Sequence, residues 1–83
     1  MTDRERLINL YWRDGLLLML PEDEGLRRAL LGRLCAELER GRGYERQELV
    51  FRILDHYDDY ETVLRELLSL ELVKREGDRY YVC

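Results

Sequence analysis

Apolar positions change period twice in the first half of the chain. Leu7, Ile8, Tyr11 and Trp12 recur at spacings of one, three and four, which predicts a helix over residues 4–12. Asp14-Gly15 reads as a turn. Leu16-Leu17-Leu18-Met19-Leu20 is then an unbroken apolar run stopped by Pro21. So short a run, bounded by glycine and proline, predicts a buried strand. Pro21 followed by Glu22, Asp23 and Glu24 predicts a helix start, because proline is tolerated in the first turn and carboxylates suit the positive end of the helix dipole. Leu26, Leu30, Leu34 and Leu38 repeat every fourth position, with Leu31 and Cys35 widening the stripe, and carry that helix to Glu39 or Arg40. Gly41 and Gly43 end it.

The pattern stays helical from Tyr44 to about Asp55, with Leu49, Val50, Ile53, Leu54 and Tyr57 on the inner face. A turn at residues 56–58 follows, and Asp58 or Asp59 can cap the next helix. That helix reaches about Leu70 and points Tyr60, Val63, Leu64, Leu67 and Leu68 inward. The chain then alternates as a hairpin around "EGDR", with Gly77-Asp78 as a two-residue loop. In this register Val73 faces Val82, and Glu76 faces Arg79 as a cross-strand ion pair. A lone hairpin is barely stable, so residues 16–20 are the expected third strand. The predicted fold is mainly α with a small antiparallel sheet (α+β), winged-helix-like, in the order helix-strand-helix-helix-helix-hairpin. It is one domain over residues 1–83, with residues 1–13 as an N-terminal helical extension and residues 72–83 as the C-terminal hairpin.

Composition narrows the function. Eighty-three residues with 46% hydrophobic and 39% charged side chains describe one small globular domain, of a size that gains from a partner or from dimerisation. The net charge is −4, whereas a dedicated nucleic-acid binder carries a basic stripe. Arginine predominates over lysine, and Asn and Gln are scarce, which fits a GC-rich coding bias and a possible thermophilic source. Cys35 and Cys83 form no C-x-x-C pair, and two cysteines with one histidine fall short of a zinc set. The expectation is free thiols in a soluble, cytoplasmic protein with no metal, no cofactor and no membrane span. His56 lies beside Asp55, but no nucleophile accompanies it. Ser69 is the sole serine, Cys35 lies on an apolar stripe, and Gly41-Arg42-Gly43 is a helix-ending turn rather than a phosphate loop. The chain therefore reads as a non-enzyme.

The segments "GLLLMLP", "RRALLGRLCAELERGRGYERQELVFRIL" and "DDYETVLRELLSLELVKREGDRYYV" resemble a bacterial domain of unknown function often found C-terminal to helix-turn-helix DNA-binding domains in transcription regulators, and also found alone. The matching positions are Pro21, Gly41-Arg42-Gly43-Tyr44, Glu48, Asp59, Thr62, Arg65-Glu66-Leu67, Leu72, Arg75, and Tyr80 or Tyr81. The resemblance covers roughly residues 15–82 and implies a winged-helix-like shape and a link to transcription regulation. Two departures remove positive charge: Glu22-Asp23-Glu24 replace lysines after the proline, and Leu64 replaces the first of two arginines. About a dozen residues precede the strand, too few for an upstream DNA-binding domain.

Three functions follow as expectations. The first is a protein-interaction or dimerisation module whose contact aromatics are Tyr11, Trp12 and Tyr81, since interfaces favour aromatics. The second is a small DNA-binding regulator using Arg46, Arg52, Arg65, Lys74, Arg75 and Arg79. Against it, the helix that would enter the groove begins with Asp58, Asp59 and Glu61, which oppose phosphates and are better explained as capping groups. The paired charges on the hairpin also suit an edge that deters sheet pairing. The third is a host-directed inhibitor from a mobile element, which a short acidic domain would suit.

Overall fold

The computed structural model describes residues 3–83, apart from the side chain of Arg4. Residues 1 and 2 of the expected domain lie outside the described residues. The described residues form a small α+β domain of four helices and two antiparallel sheets. Helix α1 (Asp3–Tyr11) leads into a tight hairpin of β1 (Trp12–Arg13) and β2 (Leu16–Leu17). Helix α2 (Glu24–Cys35), strand β3 (Tyr44–Glu45), and helices α3 (Arg46–Leu54) and α4 (Tyr60–Ser69) follow. The hairpin β4 (Val73–Glu76) and β5 (Arg79–Val82) closes the domain.

The expected third strand is the main correction. Leu16–Leu17 does not join the C-terminal hairpin; it pairs with Trp12–Arg13, in the register Trp12↔Leu17 and Arg13↔Leu16. The cause is local. Asp14 and Gly15 both take positive φ, at 54° and 80°, which is the signature of a hairpin turn, so the chain reverses at once onto its own preceding residues. For the same reason α1 stops at Tyr11 and Trp12 becomes a strand residue. The C-terminal sheet takes its third strand from Tyr44–Glu45 instead, in the order β3-β5-β4. Helix α3 accordingly starts at Arg46 rather than Tyr44. The order is therefore helix, hairpin, helix, strand, helix, helix, hairpin.

Elsewhere the pattern holds. The C-terminal hairpin has the expected register, with Val73 opposite Val82 and Glu76 opposite Arg79. Its turn places Gly77 at φ 62°. The expected Glu76–Arg79 ion pair is not the one made, since Glu76 holds Lys74 at 3.0 Å and Arg79 reaches Glu45 at 3.6 Å. Helix α2 begins after Asp23, whose carboxylate accepts from the Leu26 N–H at 2.8 Å. It ends at Cys35, short of Glu39; three-residue turns at Glu37 and Leu38 then keep Leu38 in the core. Helix α4 is capped by Asp59 and ends with Glu71 at φ 60°. The N–H of Glu71 bonds the Leu68 carbonyl, and that of Leu72 bonds the Leu67 carbonyl.

One core joins these pieces. Leu30, Leu31 and Leu34 of α2 meet Leu49 and Ile53 of α3 and Val63 and Leu67 of α4, and the sheets add Trp12, Tyr44, Val73 and Tyr80. Arg27 of α2 and Glu66 of α4 pair at 3.0 Å across the helices.

Candidate partner-docking groove

Strand alternation sends Leu17 into the core and leaves Leu16 and Leu18 outside. Beside them, α3 carries more apolar residues than one face can bury. Leu49, Val50 and Ile53 point inward, while Phe51 is 58% exposed and Leu54 40% exposed. The chain then turns at His56, which ties the two elements together. The His56 carbonyl accepts from the Leu17 N–H at 2.8 Å. His56 Nδ1 lies 2.6 Å from the Gly15 carbonyl oxygen, so Nδ1 carries the proton and donates. The ring also meets the edge of Trp12 at 5.6 Å between centroids. His56 is thus a clamp between hairpin and helix.

Between these elements lies an open groove of about 400 Å³, with Leu16, Leu18, Leu54 and Tyr57 on its apolar walls and Asp58 and Asp59 at its acidic end. Leu16 and Leu18 are each about half exposed, as is Met19 next to them. Hydrogen bonds from the Thr62 hydroxyl at 2.7 Å and the Thr62 N–H at 3.2 Å hold the Asp59 carboxyl below its ordinary range, with Arg65 adding a smaller effect. The end of the groove therefore keeps its negative charge at neutral pH. The surface is thus apolar with a charged rim.

The expected aromatic contact surface does not form as drawn from the sequence. Trp12 is buried, with Nε1 donating to the Leu30 carbonyl at 3.2 Å. Arg33 stacks over its ring at 5.9 Å and also reaches the Asn9 side chain. Tyr11 is half-buried against the core, and Tyr81 lies in the other sheet, across Gly43. A methyl group on Gly43 would come within 2.9 Å of the Tyr81 hydroxyl. Of the candidate DNA-contacting side chains, Arg46, Arg52 and Arg65 are exposed on α3 and α4. Those of the hairpin are already engaged: Lys74 with Glu76, Arg79 with Glu45 and Asp78, and Arg75 with the Gly77 carbonyl at 2.8 Å. Pairing with Glu76 also raises the Lys74 pKa. The groove went unread because a five-residue apolar run looks wholly buried. The surplus of apolar positions in "LVFRIL" was the available signal.

Residues 16–82 match a family described as an uncharacterized protein conserved in bacteria, DUF2087. The chain belongs to this family. The DUF2087 match begins inside the first hairpin, so α1 and β1 lie outside it while the groove-lining residues lie within it. Comparison with curated proteins and with solved structures gives no match.

Several positions that carried the sequence resemblance make internal contacts in this DUF2087 chain. Arg42 forms an ion pair with Glu48 and stacks over Tyr44 at 4.5 Å. Tyr44, itself buried, accepts the Glu39 N–H at 2.9 Å. Asp59 and Thr62 cap α4, and Glu66 pairs with Arg27. Among the described residues there is no cluster of three or more metal-ligating side chains, and no helix long and apolar enough to cross a membrane.

Proposed function

We propose that this chain is a winged-helix-like, non-enzymatic regulatory module of the bacterial cytosol, linked to transcription and working through contact with another protein. The groove is the observation that carries the reading. It places half-exposed leucines beside Asp58 and the hydrogen-bonded Asp59, and exposed apolar patches of this kind mark interaction surfaces. The partner that fits is a protein segment with an apolar anchor flanked by lysine or arginine, because Asp58 and Asp59 would complement it. The link to transcription comes from the sequence resemblance. DNA binding is the weaker reading, since Lys74 and Arg79 of the hairpin are taken up by neighbouring carboxylates, Arg75 bonds the Gly77 carbonyl, and the net charge is −4.

The test uses a pair of helical peptides with the same leucine anchors, one flanked by arginine and one by glutamate. Only the arginine peptide should bind the chain, with an affinity that weakens as salt rises, and Leu18→Arg should abolish it. Equal binding of both peptides, or none, would remove the stated partner. Light scattering that shows a dimer dispersed by Leu18→Arg would assign the groove to a second copy instead. Salt-sensitive binding of duplex DNA, lost on Arg75→Glu with Arg79→Glu, would replace the reading altogether.

A further inference from the structure

Away from the groove, a second cleft of about 440 Å³ opens between the end of α2 and the end of β5. Both cysteines of the sequence line it, although they stand at distant positions, 35 and 83. Cys35 is buried on the inner wall, and Cys83 is exposed at the mouth. The backbone fixes this meeting. Leu72 follows α4, and its carbonyl accepts the Cys83 N–H at 3.0 Å, so the residue after β5 is held beside Leu72 on the cleft that Cys35 also lines. Leu38, Leu72 and Val82 complete the walls, which leaves Cys83 as the accessible thiol and Cys35 as its neighbour on the same cavity.

We propose that Cys35 and Cys83 form a dithiol–disulfide site that closes by exchange with a low-molecular-weight disulfide of the glutathione type. In the first step the Cys83 thiolate attacks one sulfur of glutathione disulfide. The protein–glutathione bond forms, the glutathione S–S bond breaks, and one glutathione thiolate leaves and takes up a proton. In the second step Cys35 loses its proton and attacks the Cys83 sulfur. The internal S–S bond forms and a second glutathione departs. The two cysteines lose two electrons and two protons, and glutathione disulfide gains both pairs. Closure would fasten α2 to the end of β5 across the core.

Burial, and to a lesser degree the neighbouring Cys83, push the Cys35 thiol up to about 11. Only the thiolate attacks, so the second step is slow at neutral pH and quickens about tenfold for each unit of pH below that value.

The experiment treats the full reduced chain with glutathione disulfide and follows intact mass and free thiols under non-reducing conditions. The expected product is a monomer lighter by two hydrogens, with both thiols lost and both restored by dithiothreitol. Cys35→Ser should stop at a glutathione adduct on Cys83, while Cys83→Ser should leave Cys35 unmodified. Starting from the wild-type adduct, closure should run about ten times faster at pH 9 than at pH 8. A wild-type chain that stops at the Cys83 adduct, or that links to a second chain through Cys83 while Cys35 stays free, would overturn the proposal. Neither result depends on the docking groove.

Discussion

The hairpin at residues 12–17 and the hairpin at residues 73–82 both turn through two residues with positive φ at the first position, and both bury part of their side chains. The first sinks Trp12 and Leu17; the second sinks Val73 and Tyr80. Their outer surfaces differ. The second shows Lys74, Arg75, Glu76 and Arg79 to water, charges that keep an exposed strand from pairing with another chain. The first is followed by Leu18 and Met19 and leaves Leu16 half exposed. Arg13 is the one exposed charge on its two strands, and its apolar side opens onto the groove. Two tight turns, one with positive φ at both residues and one at Gly77 alone, thus serve two ends: one hairpin completes a sheet behind charged side chains, the other completes the core and leaves an apolar face exposed.

Four substitutions test this contrast. Trp12→Ala removes the anchor of the open hairpin and the indole hydrogen bond to the Leu30 carbonyl. It should cost about 3–5 kcal/mol in urea denaturation, comparable with the whole stability of a small domain. An effect below about 1 kcal/mol would mean that the first hairpin is an appendage rather than part of the core. Gly77→Ala attacks the closed hairpin at its turn, where an alanine must hold a left-handed dihedral, and should cost about 1–2 kcal/mol. Glu71→Gly relieves the same left-handed strain at the end of α4 and should raise the unfolding free energy in urea denaturation by about 1 kcal/mol, because glycine is the residue that position favours. Leu18→Lys gives the open hairpin the charge of the closed one. Stability should change by no more than about 0.5 kcal/mol, while binding of the arginine-flanked peptide disappears. If Leu18→Lys instead unfolds the chain, the groove wall belongs to the core.

What the sequence made legible was set by the range of the interaction. The leucines of α2, the capping Asp59, and the Val73↔Val82 register all follow from local periodicity or turn chemistry, and all are found. What the periodicity hid was partner choice. The strand signal at residues 16–20 was sound for Leu16 and Leu17, but the nearest edge was four residues back rather than in the distant hairpin. Tyr44–Glu45 is too short to show a period of two, and its pairing with Arg79 and Tyr80 is long-range. The candidate site suffered from the same limit. Trp12 looked like a surface aromatic because a helix through residue 12 would have displayed it; the switch to a strand turns it inward. The leucines that do form the groove looked buried, since a continuous apolar run carries no mark of which side faces out.

The T-shaped contact between Trp12 and His56 has a practical consequence. His56 also lines the groove, so one ring stands between any docked segment and the chain's single indole. A ligand that displaces His56 by even a fraction of its width alters the polarity around the only tryptophan emitter. The molecule can therefore announce occupancy through its own fluorescence, with no dye attached.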